Sequence, residues 1–163
     1  MIKIQRTITI GMMILIALSG CGSTSVNADK ELVCMIESEL DSATYVSEVV
    51  IEYNEEEDTM IHGKFHEKYE GLDKTDTNNT ILQRFMDNQS LLEGAQGVKL
   101  SLDVTDTSFD YQEEWDYQDI DLQEILGLDN RQKNFVEDDK YRTEKVTDYY
   151  TLQGYSCETN DIK

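Results

Sequence analysis

Apolar and polar residues alternate strictly in "VKLSLDV", where Val98, Leu100, Leu102 and Val104 share one face and Lys99, Ser101 and Asp103 the other. In "FDYQEEWDY", Phe109, Tyr111, Trp115 and Tyr117 stand opposite Asp110, Gln112, Glu114 and Asp116. A period of two with one polar face predicts half-buried strands in an antiparallel sheet, wet on one side. The short polar link "TDTS" between them predicts a hairpin. A second hairpin is expected upstream. There "TYVSEVVIEY" alternates through Tyr45, Val49, Ile51 and Tyr53, and "TMIHGKFHEKY" answers with Ile61, Phe65 and Tyr69 across the acidic turn Asn54 to Asp58. "ELVCMI", Glu31 to Ile36, supplies a first strand and "GYSCE" a short last one.

Between these strands the spacing turns helical. Thr80 with Gln83 has the form of a capping box, followed by Ile81, Leu82, Phe85, Met86 and Leu92. Asp121 with Glu124 starts a second, short helix carrying Leu122, Ile125 and Leu126, stopped near Gly127. A third is expected from Thr143 to Gln153, with Val146, Tyr149, Tyr150 and Leu152, ending at Gly154. The predicted order is β-β-β-α-β-β-α-α-β. That is an α+β domain: an antiparallel sheet of about five or six strands with two or three helices packed on one face. No internal repeat or low-complexity block interrupts it.

The N-terminal segment has a different character. Met1 to Thr7 carries Lys3 and Arg6 and no acid, and an apolar run of about 13 residues follows to Gly20. That is too short to span a bilayer, which takes roughly 20 apolar residues, and fits the core of a secretory signal. Leu18-Ser19-Gly20-Cys21 resembles the lipobox of bacterial lipoproteins. The resemblance implies cleavage before Cys21 and a diacylglyceryl group on its thiol. The expected organisation is a signal peptide over 1–20, a lipidated cysteine and flexible tether over 21–30, and a single extracytoplasmic domain over 31–163. "GSTSVNADK" reads as the tether because it is small, polar and has nothing to bury.

Charge narrows the partners. The chain carries −20 at neutral pH, and losing Lys3 and Arg6 with the signal takes the side-chain sum to −22. Phosphate binding needs clustered Lys and Arg, so nucleic acid is excluded as a natural partner. An anionic bilayer would repel the domain, leaving the Cys21 anchor as its membrane contact. The outer face of the cytoplasmic membrane is the expected location, since Gly22 gives no Asp-type retention cue. Proline is absent, which rules out a Pro-rich stalk.

The lipobox, a first strand reading "LVC", paired hairpins followed by a helix, a "GV" strand start and a closing "LQGYSC" together resemble the small YehR-like bacterial lipoproteins. The residues that carry this are Cys21, Cys34, Gly97-Val98 and Gly154-Tyr155-Ser156-Cys157. No biochemical role is established for that family, so the resemblance implies a fold and an anchor but no activity.

Candidate chemistry is sparse. With Cys21 lipidated, Cys34 and Cys157 remain as a pair in the first and last strands; an extracytoplasmic pair suggests a disulfide, and two separate buried thiols are the alternative. His62 and His66 are four apart in a strand, about 13 Å, too far to share one ion. They are expected to face solvent, with no metal and no cofactor assigned. The acids of "EEED" and "DYQDID" do not fit an EF-hand loop and read as solvated charge. The stripe Phe109, Tyr111, Trp115 and Tyr117 reads as core beneath helices or, alternatively, a binding platform. No nucleophile elbow, P-loop or zinc-protease motif is present.

No catalytic residue is therefore expected. The leading reading is a membrane-anchored, non-catalytic domain that binds an envelope protein or a small ligand. An envelope-modifying hydrolase using acidic residues is one alternative; a passive acidic surface protein with weak calcium binding is the other.

Overall fold

The computed structural model describes residues 26–40, 43–72 and 76–162. Strands β1 (Lys30–Leu40), β2 (Ala43–Asn54) and β3 (Thr59–Glu70) precede helix α1 (Asp76–Leu92). Strands β4 (Val98–Val104) and β5 (Ser108–Asp116) follow, then helix α2 (Leu122–Leu128) and a 3-10 turn, Gln132–Phe135. The two-residue strands β6 (Val136–Glu137) and β7 (Lys140–Tyr141), helix α3 (Thr143–Leu152) and strand β8 (Ser156–Asp161) complete the chain. Six strands form one antiparallel sheet in the order β4-β5-β3-β2-β1-β8. This is the expected α+β architecture, with both hairpins in place.

Alternation explains the sheet. Leu32, Cys34, Val49, Ile51, Phe65, Tyr69, Phe109, Tyr111 and Trp115 point to the covered face and are buried. The four aromatics of the β5 stripe are core, not an exposed platform. The opposite face carries Glu48, Lys64, His66, Lys68, Gln112 and Glu114, exposed or half-buried, as period two requires. The covered face holds two apolar clusters. One joins Leu32, Val49, Ile51, Phe65 and Trp115 to Ile125, Phe135, Val146 and Tyr150 from the C-terminal helices and 3-10 turn. The other joins Ala43, Tyr69, Phe109 and Tyr111 to Leu72 and to Phe85 of α1.

Some expectations are corrected. Helix α1 begins at Asp76, a full turn before Thr80, so Thr80 and Gln83 are inside it and form no capping box. The Gln83 amide donates instead to Asp87 one turn on, at 2.7 Å. Asp121 does cap α2: its carboxylate accepts from the backbone N–H groups of Gln123 and Glu124. Leu152 closes the apolar series of α3 in sequence, yet it is 88% exposed, because the series rotates off the buried face at the helix end. Strand β8 runs on to Asp161, since β1 offers it a ladder from Met35↔Ser156 to Lys30↔Asp161. The segment "NRQKNFVEDDKYR", given no element by periodicity, holds the 3-10 turn and the β6–β7 ribbon, with Asp138 and Asp139 at positive φ in its two-residue turn.

The expected tether is also shorter on its domain side. Val26 to Asp29 lie along one end of the sheet. The Gln118 side chain donates to the Val26 carbonyl at 2.8 Å and the Asn54 side chain to the Asn27 carbonyl at 3.0 Å. The Asp29 N–H donates to the Tyr53 carbonyl, and the Asp29 carboxylate accepts from the Glu55 N–H.

Candidate functional site

The seam between the two apolar clusters is polar, and its first member is Glu113. It sits between Tyr111 and Trp115 in β5's alternation, so it points into the core and is only 1% exposed. A buried carboxylate requires partners. Trp115 Nε1 donates to it at 2.9 Å, Asn88 Nδ2 of α1 at 3.2 Å, and the Arg131 guanidinium closes an ion pair on its Oε2. Arg131 leaves the end of α2 held by Asp129, whose carboxylate bonds both its backbone N–H at 2.8 Å and its guanidinium at 3.2 Å. The guanidinium also lies over the Phe65 ring, 4.5 Å from its centroid. Burial alone would lower its pKa, but the charges of Glu113, Tyr150 and Asp129 outweigh that and hold it well above the usual value. Arg131 is a fixed cation. Its Nε has no hydrogen-bond partner among the described residues.

A second charged group lies toward the β1–β2 end of the seam. The Arg84 guanidinium of α1 bonds Glu67 of β3 at 2.7 Å, and the Tyr45 hydroxyl donates to the same carboxylate at 3.2 Å. Tyr155 brings its hydroxyl to 3.4 Å from that of Tyr45. Burial, then the Glu67 charge, pushes the Tyr45 phenol well up from its ordinary pKa.

These two groups bound a cleft of about 240 Å³. Ser47, Val49 and Phe65 form its floor, Arg84, Phe85 and Asn88 of α1 one wall, and Tyr149 and Tyr150 of α3 with Gln153 just past its end the other. A larger hollow of about 590 Å³ is lined by α1 alone, and another of about 320 Å³ lies on the wet sheet face around His62, Lys64 and Lys99. Neither draws side chains from both layers, whereas the cleft draws them from the sheet, both long helices and the loop that carries Arg131. A site between packed elements with few convergent polar groups is the usual place for a small ligand.

Cys34 and Cys157 face each other in the β1–β8 ladder and form a disulfide. Cys21 lies outside the described residues. His62 is exposed on the wet face, and His66 there bonds Asp110 at 3.0 Å. Among the described residues no group of three or more His, Cys, Asp or Glu is placed to hold a metal ion, and no helix is long and apolar enough to cross a membrane. The acids read as solvated have structural partners. Asp58 pairs with Arg142, Glu55 with Lys30, and Asp119 accepts from Gln96. Neither Glu113 nor Arg131 was expected from the sequence; the period of two that places Tyr111 and Trp115 on the covered face also puts Glu113 there.

Comparison with known proteins bears on the whole domain. The pattern of one family, described as a domain of unknown function, DUF8824, spans residues 22–163. The chain belongs to DUF8824. No curated protein matches it. Among solved structures, the DUF8824 chain is similar to the NMR structure of Escherichia coli YehR, with a TM-score of 0.53 and 15% identity over 79% of this chain and 91% of that one. It also matches an NMR structure of a Streptococcus pneumoniae TIGR4 protein, with a TM-score of 0.46 and 12% identity over 96% of this chain and 98% of that one. At that identity the likeness to YehR is one of fold, in line with the resemblance read from the sequence.

Proposed function

We propose that this DUF8824 chain is an extracytoplasmic lipoprotein, anchored through a diacylglyceryl group on Cys21, whose domain binds a small ligand in the α1–α3 cleft without catalysing a reaction. The anchor is supported by the Leu18-Ser19-Gly20-Cys21 pattern behind a short apolar run. The binding reading rests on one observation: every charge lining the cleft is already matched inside the protein. Arg84 is engaged by Glu67, and Arg131 by Glu113 and Asp129. A charged ligand reaching Arg131 would have to displace one of its partners, and stranding that buried charge costs about 3–5 kcal/mol; the more exposed Arg84 is already engaged by Glu67. An uncharged ligand can add hydrogen bonds to the unused N–H groups and lone pairs without breaking a pair. The rings of Tyr149, Tyr150 and Tyr155 offer it apolar faces, and the volume suits a single ring-sized unit. The ligand class is therefore a small neutral molecule rich in hydroxyl or carbonyl groups, such as one sugar unit. The same pairing supports a non-catalytic role, since the two acids lining the cleft, Glu67 and Asp129, are each committed to an arginine.

The test is an amide chemical-shift titration with methyl glucoside and N-acetylglucosamine, set against glycine betaine and inorganic phosphate. Saturable shifts at Tyr45, Asn88, Gln153 and Tyr155 with a neutral probe, weakened by Arg84→Ala, are expected. Saturation by the charged probes alone, or by none of the four, would overturn the reading. Intact mass of the protein taken from its own membrane tests the anchor: a chain starting at an acylated Cys21 is expected, and an unmodified chain starting at Met1 defeats it.

A further inference from the structure

We infer that the anchored domain stands on the bilayer with the β2–β3 turn toward the lipid and the cleft facing away from it; this rests on the Cys21 anchor proposed above. Two observations carry it. The first is where the chain joins the rigid body. Val26, Asn27 and Asp29 are bonded to Gln118, Asn54, Tyr53 and Glu55, all at one end of the sheet, and Lys30 there pairs with Glu55 and Asp161. Only residues 22–25 separate Cys21 from that point, so the connection reaches roughly 17 Å when fully extended.

The second observation is the position of the cleft. Tyr45, at its mouth with Tyr155, is eight residues along β2 from Tyr53, about 26 Å at the rise of a strand. The connection is thus shorter than the distance from the tethered end to the cleft mouth. An inverted domain, cleft down, is beyond its reach.

Electrostatics sets how closely the tethered end approaches the lipid. The tethered end carries Glu55, Glu56, Glu57 and Asp58 in the β2–β3 turn, with Asp119 and Asp121 nearby in the chain after Gln118, all exposed. An anionic lipid surface repels them over a screening length of about 8 Å, which the extended connection exceeds. The connection is long enough for that end to stand beyond the screening length, so repulsion adds a stand-off without reversing the orientation that the tether's reach imposes. The surface facing the lipid is an acidic stand-off face, and the ligand reaches the cleft from the side away from the membrane.

The experiment uses the isotopically labelled lipoprotein, purified from its own membrane and placed in nanodiscs whose lipid headgroups carry a paramagnetic chelate. Intact mass is recorded first. Loss of amide signal is expected at Asn27, Glu55, Glu57 and Gln118, with the signals of Tyr45, Gln153, Gly154 and Tyr155 retained. An acylated chain that loses signal equally at both ends, or more at the cleft, overturns the orientation and leaves the anchor standing. A chain without the acyl group removes the anchor, and the orientation with it.

Discussion

Arg131 and Glu113 are the residues on which the interior depends most. Arg131→Ala leaves Glu113 buried with only neutral donors, Trp115 Nε1 and Asn88 Nδ2, and should lower stability by about 3–5 kcal/mol. The double variant Arg131→Met, Glu113→Leu removes both charges and should recover much of that loss, since an apolar pair of similar volume is often as stable as a buried ion pair. Urea midpoints of the two variants measure the difference; a double variant no better than the single one would show that Arg131 acts through packing on Phe65. The alternation Phe109, Tyr111, Glu113, Trp115 made an inward acid legible in the sequence. Its partner was not legible, because Arg131 comes from a segment with no periodicity and is positioned by Asp129 and the end of α2. Gly97 is a second such position. With φ at +75° and a Cβ site 2.9 Å from the Asp116 carbonyl oxygen, Gly97→Ala should cost roughly 1–3 kcal/mol, read from the same urea curves.

At the level of elements, strands and hairpins were readable where one face is wet and one dry, and β2 through β5 fall where the alternation of Tyr45–Tyr53, Ile61–Tyr69, Val98–Val104 and Phe109–Tyr117 puts them. Helix ends were less readable. The cap at Asp121 is a local interaction and was found; the start of α1 at Asp76 was not, since Thr80 and Gln83 imitate a cap inside a helix that was already running. Strand β8 shows an element whose presence depends on a distant partner. Its residues, Ser156 to Asp161, have almost no apolar side chains to hold them on the sheet. The β1 ladder and the Cys34–Cys157 bond do so instead. Replacing both cysteines by serine should lower stability by roughly 4–5 kcal/mol on the loop-entropy model and make β8 the first strand to exchange its amide protons. Unchanged exchange along β8 in that variant would contradict this.

For the whole molecule, the buried phenols set the alkaline limit. Burial raises the pKa of Tyr111, Tyr117, Tyr141 and Tyr150, and of Tyr45 in the cleft. Each therefore keeps its proton in the folded state when the unfolded chain, with a phenol pKa of about 10, has begun to lose it. Where the folded state binds more protons, stability falls as pH rises. Full stability is expected below about pH 9 and a progressive loss above about pH 10, with tyrosinate absorbance rising together with the loss of tertiary signal. Phenolate forming well before unfolding would show that these rings are more open to water than the fold implies. The general plan, one sheet with helices on one face, was legible because it follows from which strand faces are apolar. The cleft was not, because it exists only where α1 and α3 lean over the seam between two separate apolar clusters.

The bond between Cys34 and Cys157 has a consequence outside thermodynamics. The residues it joins are 123 apart in the chain, so most of the domain is a closed covalent ring. A protease that cuts once anywhere in that ring, at the exposed Glu55–Asp58 turn for example, yields two peptides that remain one particle. The N-terminal peptide keeps Cys21, the proposed attachment residue, and the C-terminal one, with α3 and Tyr155, stays bound to it through sulfur. A nicked molecule would therefore migrate as an intact chain on a non-reducing gel and separate only after reduction. On the Cys21 anchor proposed above, a cut inside the ring would not release the domain, whereas one cut ahead of Cys34 would.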